Sequence, residues 1–205
     1  MKTLMNGTKK EIKMGREAIL QSIKKNKPEA LPMPIIDESA FYEDIDLLNA
    51  FKSNIALVGG TIKEIDVAQI DNELKTIYPK ANHIVSATSK STLGTIPFSK
   101  ETDPHLFKDI DLAIVEGEIG VSENGAVWVS NTNSLVRALP FITNDLVIIL
   151  NKSKICIHML HAYDLIKDRD RDFGVFISGP SKTADIEQCL VVGAHGAMSL
   201  TVLLI

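Results

Sequence analysis

The chain is poor in cysteine, carries no excess of basic charge and has no long apolar run, and each shortage removes a class of function. Its two cysteines, Cys156 and Cys189, lie in apolar stretches with no C-x-x-C spacing. Two thiolates cannot hold an ordinary iron–sulfur cluster, which needs four, so no cofactor is expected in this chain. The spacing favours no disulfide, and both residues read as buried free thiols of a reducing compartment. Lys and Arg number 22 against 26 Asp and Glu, a formal net charge of -4. A nucleic-acid binder would instead show a basic stripe. A membrane-spanning helix needs roughly 18 or more apolar residues in a row, and none occurs. The lysine-rich start lacks the apolar core of a secretion signal. The expected compartment is the cytoplasm, with no nucleic acid and no membrane span. Also missing are the P-loop, G-x-G-x-x-G and G-x-S-x-G patterns, so kinase, dinucleotide and α/β-hydrolase readings lack their motifs.

The 205 residues are 45% hydrophobic and 23% charged, an ordinary soluble globular composition. A chain this long buries roughly 70% of its unfolded surface and needs no staples. Residues 1–35 read as an N-terminal helix and linker, and residues 36–205 as one α/β domain. Within 8–27, Ile12, Ala18, Ile19 and Ile23 fall near one helical face with lysines on the other. That face is expected to dock on the domain or on a second subunit, which leaves a homo-oligomer open. Pro28, Pro32 and Pro34 mark the linker. Residues 42–52 read as an amphipathic helix with Phe41, Ile45, Leu48 and Phe51 inward, 54–58 as a strand, and 66–78 as a helix capped by Asp66 and stopped by Pro79. Residues 83–85, 112–115, 119–121, 126–129, 145–150, 174–177 and 199–205 read as strands, and 158–168 as a helix. Such alternation predicts a mostly parallel central sheet covered by helices. Residues 86–108 are polar and aperiodic, either a loop over a site or disordered.

The stretch 176–196, FISGPSKTADIEQCLVVGAHG, organises the rest. Gly179-Pro180 breaks a strand. Ser181 and Thr183 then offer side-chain oxygens where a helix should begin, with Asp185 and Glu187 in its first turn and Ile186, Leu190 and Val191 as its apolar face. The turn would leave backbone N–H groups for a small anion, with Ser178, Gly179, Pro180, Ser181, Thr183 and Asp185 as ligand-binding residues. The alternative is a well-capped helix and nothing more. In open α/β sheets, ligands sit beyond the strand C-termini.

Three further candidates carry chemistry. Ser122-Glu123-Asn124-Gly125 lies between two apolar runs, where Asn-Gly favours a type I′ hairpin with a solvated Glu123. Arg137 is able to clamp a carboxylate or phosphate, or to pair with a surface acid. His195 stands between Gly193 and Gly196 as an accessible acid–base or anion-binding group, or as a hydrogen-bonded residue at a strand entry. His158 and His161 are spaced for a metal but lack a third ligand, so no metal site is expected.

ISGPSKTADIEQ, followed by GAHGA and TVLLI, resembles the C-terminal signature of the LUD family, the lactate-utilization protein C group, in which GPS-x-TADIE is followed by G-x-HGP. Ala197 stands where the family usually has proline. The family pattern AETGT is similar to SENG here, and the family tends to carry an arginine at Arg137. SENG is also similar to the motif around the nucleophilic glutamate of CoA-transferases. The resemblance implies a NagB/RpiA/CoA-transferase-like fold. It implies an accessory or small-anion-binding component in oxidation of L-lactate to pyruvate, with the clusters held by iron–sulfur oxidoreductase partner subunits. It makes Glu123 a candidate nucleophile, so the candidate catalytic residues are Glu123 and the His195 already read as an acid–base group, with Ser122, Asn124, Gly125 and Arg137 as ligand-binding residues. A stand-alone CoA-transferase-like enzyme using Glu123 and a small-metabolite sensor are the competing readings. Glu123, the 178–183 turn and His195 are expected to meet in one pocket for a small anionic metabolite.

Overall fold

Apolar residues at nearly every position of a strand require burial on both faces, and three such runs build the centre of this computed structural model. It describes residues 15–32, 34–37, 41, 44–169, 173–184 and 190–205. The chain divides into two compact units, residues 1–37 and 38–205. In the first, α1 (Arg16–Lys25) has no buried residue, and its basic last turn suits the negative end of the helix dipole.

The second unit begins with α2 (Leu47–Leu57), whose N-cap Asp46 accepts from the Asn49 N–H at 3.1 Å. It continues through β1 (Thr61–Glu64), α3 (Ile70–Ile77), β2 (Ile84–Ser86) and β3 (Leu112–Glu116). A hairpin of β4 (Ile119–Val121) and β5 (Ala126–Ser130) follows, then the short helices α4 (Asn131–Ser134) and α5 (Leu139–Ile142). Next come β6 (Asp145–Leu150), β7 (Ile155–Cys156), α6 (Met159–Ile166) and β8 (Gly174–Ile177). The described chain ends with β9 (Lys182–Ala184), β10 (Leu190–Val192) and β11 (Ser199–Leu204).

The central sheet has the order β1-β11-β6-β3-β2, and every neighbouring pair is parallel. Successive residues of its strands point to opposite faces. Leu112, Ile114, Val147, Ile149 and Leu203 pack against Ile70 and Leu74 of α3. Ala113, Val115, Leu146, Ile148, Leu150, Val202 and Leu204 pack the other way, against Phe51 and Ile55 of α2 and against Val127 and Val129 of β5. The α/β reading with a parallel sheet flanked by helices therefore holds. The strands β4, β5 and β8, however, do not complete that sheet. They form a second one, β7-β4-β5-β8, whose far face buries Trp128 and Cys156 with Ala162 and Ile166 of α6. No helix among the described residues is long and apolar enough to cross a membrane.

Residues 54–57, expected as a strand, are instead the end of α2, because Phe51 and Ile55 are one helical turn apart and both are buried. Phe41 and Ile45 precede the helix and are exposed. The polar edge strand β1 was not expected. The helix expected over 181–193 is absent from its described part. There β9 and β10 pair antiparallel, Leu190 opposite Ala184 and Val192 opposite Lys182. Residues 185–189, with Asp185, Glu187 and Cys189, lie outside the described residues.

The loop after β2 is pinned. Asp71 accepts from Ser91 Oγ at 2.7 Å, Thr92 Oγ1 at 2.6 Å and the Thr92 N–H at 3.1 Å. Partial burial pushes the Asp71 carboxyl up, but these donors together outweigh it and hold it below its ordinary value of 3.8. A carboxyl depressed by folding contributes stability above its unfolded pKa, and that contribution is lost as pH falls through the folded value. Hydrogen-exchange protection of residues 88–95, corrected for intrinsic rates, should therefore fall once the pH drops below 3.8, while Asp71→Asn should loosen the segment already at neutral pH. Equal protection in both proteins at pH 7 would remove the carboxylate from this role.

Candidate functional site

At the end of β8 the chain turns through Gly179, whose φ is +73°. A Cβ there would lie 2.5 Å from the Val58 carbonyl oxygen at the end of α2, so only glycine lets the bend seat. The bend then meets the segment before β11. Ser181 N–H donates to Ala197 O at 2.8 Å, and Gly193 N–H donates to Ser181 O at 3.0 Å. Between them lies a cleft of about 260 Å³, lined by Ser178, Gly179, Pro180, Ser181 and Lys182 on one side and His195 and Gly196 on the other. Pro140 and Phe141 of α5, Val175, Phe176 and Ile177 of β8 and the apolar residues Leu146, Ala197 and Leu200 supply the rest of the wall. The Lys182 ammonium donates to the Val58 carbonyl, where the negative end of the α2 dipole also favours it. His195 is exposed to solvent. The Ser181 N–H and the Ser178 Oγ both donate within the protein, so the polar groups left for a ligand are the Lys182 ammonium, which keeps further N–H bonds, and the His195 ring. Leu146 and Leu200 are near the N-terminal ends of β6 and β11, so the cleft follows the C-terminus of β8 but is not beyond the C-termini of the central parallel strands, where a ligand was expected.

The Ser122–Gly125 turn is held from three sides. Ser122, fully buried, donates from Oγ to Leu47 O at 2.9 Å and from its N–H to Cys156 O at 2.9 Å. Asn54 Nδ2 donates to Ser122 O at 2.6 Å, and Asn124 Oδ1 accepts from the Ala126 N–H at 3.0 Å. Gly125 has φ +67° and Asn124 does not share that sign, so this four-residue loop is not a type I′ turn. The Glu123 carboxylate accepts from the Met159 N–H at 2.8 Å, in the first turn of α6. It thereby caps that helix together with His158, whose Nδ1 accepts from the His161 N–H at 3.2 Å. Burial pushes the Cys156 thiol up to about 11, with Glu123 adding to the effect. No group of three or more metal-ligating side chains occurs among the described residues.

A model of the LUD domain matches residues 10–205. The chain belongs to the LUD domain family. It is 26% identical over 214 aligned residues to Lactate utilization protein C of Geobacillus kaustophilus, covering 91% of this chain and 88% of that protein. It is 25% identical over 181 residues to Lactate utilization protein C of Anoxybacillus flavithermus, covering 80% of this chain and 82% of that protein. Among solved structures, a DUF162 family protein from Deinococcus radiodurans superposes with a TM-score of 0.56 at 14% identity, over 77% of this chain and 95% of that one. The likeness is one of fold.

In this LUD domain, Ser178, Gly179, Pro180, Ser181 and His195 come together at the bend cleft. Glu123 does not line it, and its turn is tied to the bend where Ser178 Oγ donates to Asn124 O at 2.8 Å. Arg137 is exposed with its guanidinium 5.6 Å from the centre of the Phe173 ring, a cation–π contact. Phe173 precedes β8 while Ser178 follows it, so Arg137 stands at the far end of that strand. Thr183 Oγ1 donates to Val191 O at 3.3 Å and ties β9 to β10. Sequence reasoning missed Lys182, although it lies inside the signature itself. It also missed Pro140 and Phe141, which carry no local signal and reach the cleft only through the fold.

Proposed function

We propose that this LUD domain serves the oxidation of L-lactate to pyruvate in the cytoplasm as an accessory component that holds a small carboxylate. It would work beside iron–sulfur oxidoreductase subunits that carry the clusters. The observation that carries this reading is the meeting of the two halves of the family signature, Ser178–Lys182 and His195, across one cleft. The relatives named Lactate utilization protein C, matched along most of their length, support the choice of pathway. The chemistry is consistent: a hydroxy acid has one anionic end for the cationic Lys182 and the His195 ring, and a short apolar body for Pro140 and Phe141. The parallel sheet is also compatible with a NagB/RpiA/CoA-transferase-like ancestry.

Two measurements test it. Deleting the gene in its host should abolish growth on L-lactate and spare growth on glucose, and a tagged chain should co-purify cysteine-rich partner subunits. Unimpaired growth on lactate would end the pathway assignment. Separately, His195→Ala should weaken L-lactate binding by about tenfold in calorimetry, the worth of one hydrogen bond to a charged group. Unchanged affinity would move the ligand out of this cleft.

A further inference from the structure

The opposite edge of the central sheet opens onto a second cleft. The strands β6 and β11 reach the bend cleft near their first residues, and they reach this one near their ends, at Ile149 of β6 and at Ile205 just past β11. Its volume is about 370 Å³, and its polar lining is Lys90, Glu116, Glu118, Asn151, Lys154 and Arg169. This is the edge at which parallel α/β sheets hold small molecules, because the strands end there and the following loops supply side chains.

Among the described residues, its charges are arranged in pairs with one left over. Lys90 pairs with Glu116, which also accepts from Thr88 Oγ1. Arg169 pairs with Glu118, which also accepts from Asn133 Nδ2 at 3.2 Å. The Glu116 and Lys90 side chains are only 30% and 29% exposed, so their pairing is better shielded from water than a surface ion pair. Partial burial pushes the Glu116 carboxyl up, but the hydrogen bonds from Lys90 and Thr88 prevail and hold it below the usual carboxylate range. It is therefore an acceptor and not a donor at neutral pH. Lys154 has no charged partner among the described residues, and the amide N–H groups of Asn151 have no partner among them either.

We infer that this cleft is a second binding site, and that it takes a polyhydroxy monocarboxylate, the chemistry of a sugar acid. Among the described residues of the lining, the ammonium of Lys154 is the positive charge without a carboxylate partner, so it matches a single carboxylate. Each carboxylate oxygen of Glu116 and Glu118 accepts one protein donor and keeps lone-pair capacity for another. Those oxygens suit hydroxyl groups, which donate to them, and they repel a second anionic group on the ligand. Both carboxylates are already fixed by their partners, so binding does not have to order them.

The test is titration calorimetry on the full chain with D-gluconate and D-glycerate. Acetate serves as the probe with a head and no hydroxyls, and xylitol as the probe with hydroxyls and no head. Gluconate should bind saturably, about tenfold or more tighter than acetate or xylitol, and Lys154→Ala should weaken it by about tenfold without changing the melting temperature. Lys154 is exposed, so the variant should fold. The inference is overturned if neither sugar acid binds, if acetate or xylitol binds as well as gluconate, or if Lys154→Ala leaves the affinity unchanged.

Discussion

Phe51→Ala should lower the unfolding free energy by about 4 kcal/mol, the usual cost of emptying a phenylalanine site in a packed core. Phe51 is fully buried on α2 and belongs to the largest cluster of the domain, together with Val115, Val127, Ile148 and Leu150. It therefore bridges the two sheets. Its ring also covers Gly120 of β4, where a Cβ would meet ring carbons at 3.1 Å. Removing the ring leaves a void between rigid sheets, which collapse less readily than a loop would, so the full cavity penalty applies. For a domain of this size the melting temperature should fall by roughly 8–16 °C. Chemical denaturation would check the free energy directly, and a loss under about 1 kcal/mol would place Phe51 outside the junction.

Gly125→Val should cost about 3 kcal/mol, and its cause can be separated into parts. The positive φ alone costs a non-glycine residue roughly 1–2 kcal/mol. The added Cβ would also lie 2.8 Å from the Ile55 nitrogen and 3.0 Å from the Asn54 carbonyl carbon, both backbone atoms of α2. Neither is able to swing aside, so the turn itself must lift. The bonds from Ser122 to Leu47, from Asn54 to Ser122 and from Ser178 to Asn124 would loosen with it. Asparagine tolerates positive φ far better than alanine does. If the clash dominates, as these distances imply, Gly125→Asn and Gly125→Ala should be equally harmful in urea titrations. An Asn variant close to wild type would instead assign the effect to backbone strain. The valine variant should also bind L-lactate less tightly, because the bend would lose its contact with the turn.

The parallel strands were legible because burial on both faces leaves unbroken apolar runs, as in 112–115 and 145–150. The edge strand β1 was not: TIKE is mostly exposed, pairs only with β11 and carries no apolar signature. A short, mostly apolar segment such as 54–58 is ambiguous between strand and helix, and the burial of both Phe51 and Ile55 decides for helix. Around 181–193 the capping residues gave a real but local helix signal. It is overridden by pairing of the Ser181 backbone with Gly193 at the segment's other end and with Ala197 beyond it, contacts that helix propensity does not weigh.

Local chemistry was enough to establish the α/β class, the family signature and the bend at Gly179, because each depends on residues adjacent in the chain. Long-range packing alone settled the rest. It split the strands between two sheets and turned Glu123 toward the start of α6. It left Arg137 at the far end of β8 and gathered Lys90, Glu116, Glu118, Lys154 and Arg169 at one sheet edge. A side chain's partners depend on which distant segments arrive beside it, and that is fixed by the burial of the whole domain.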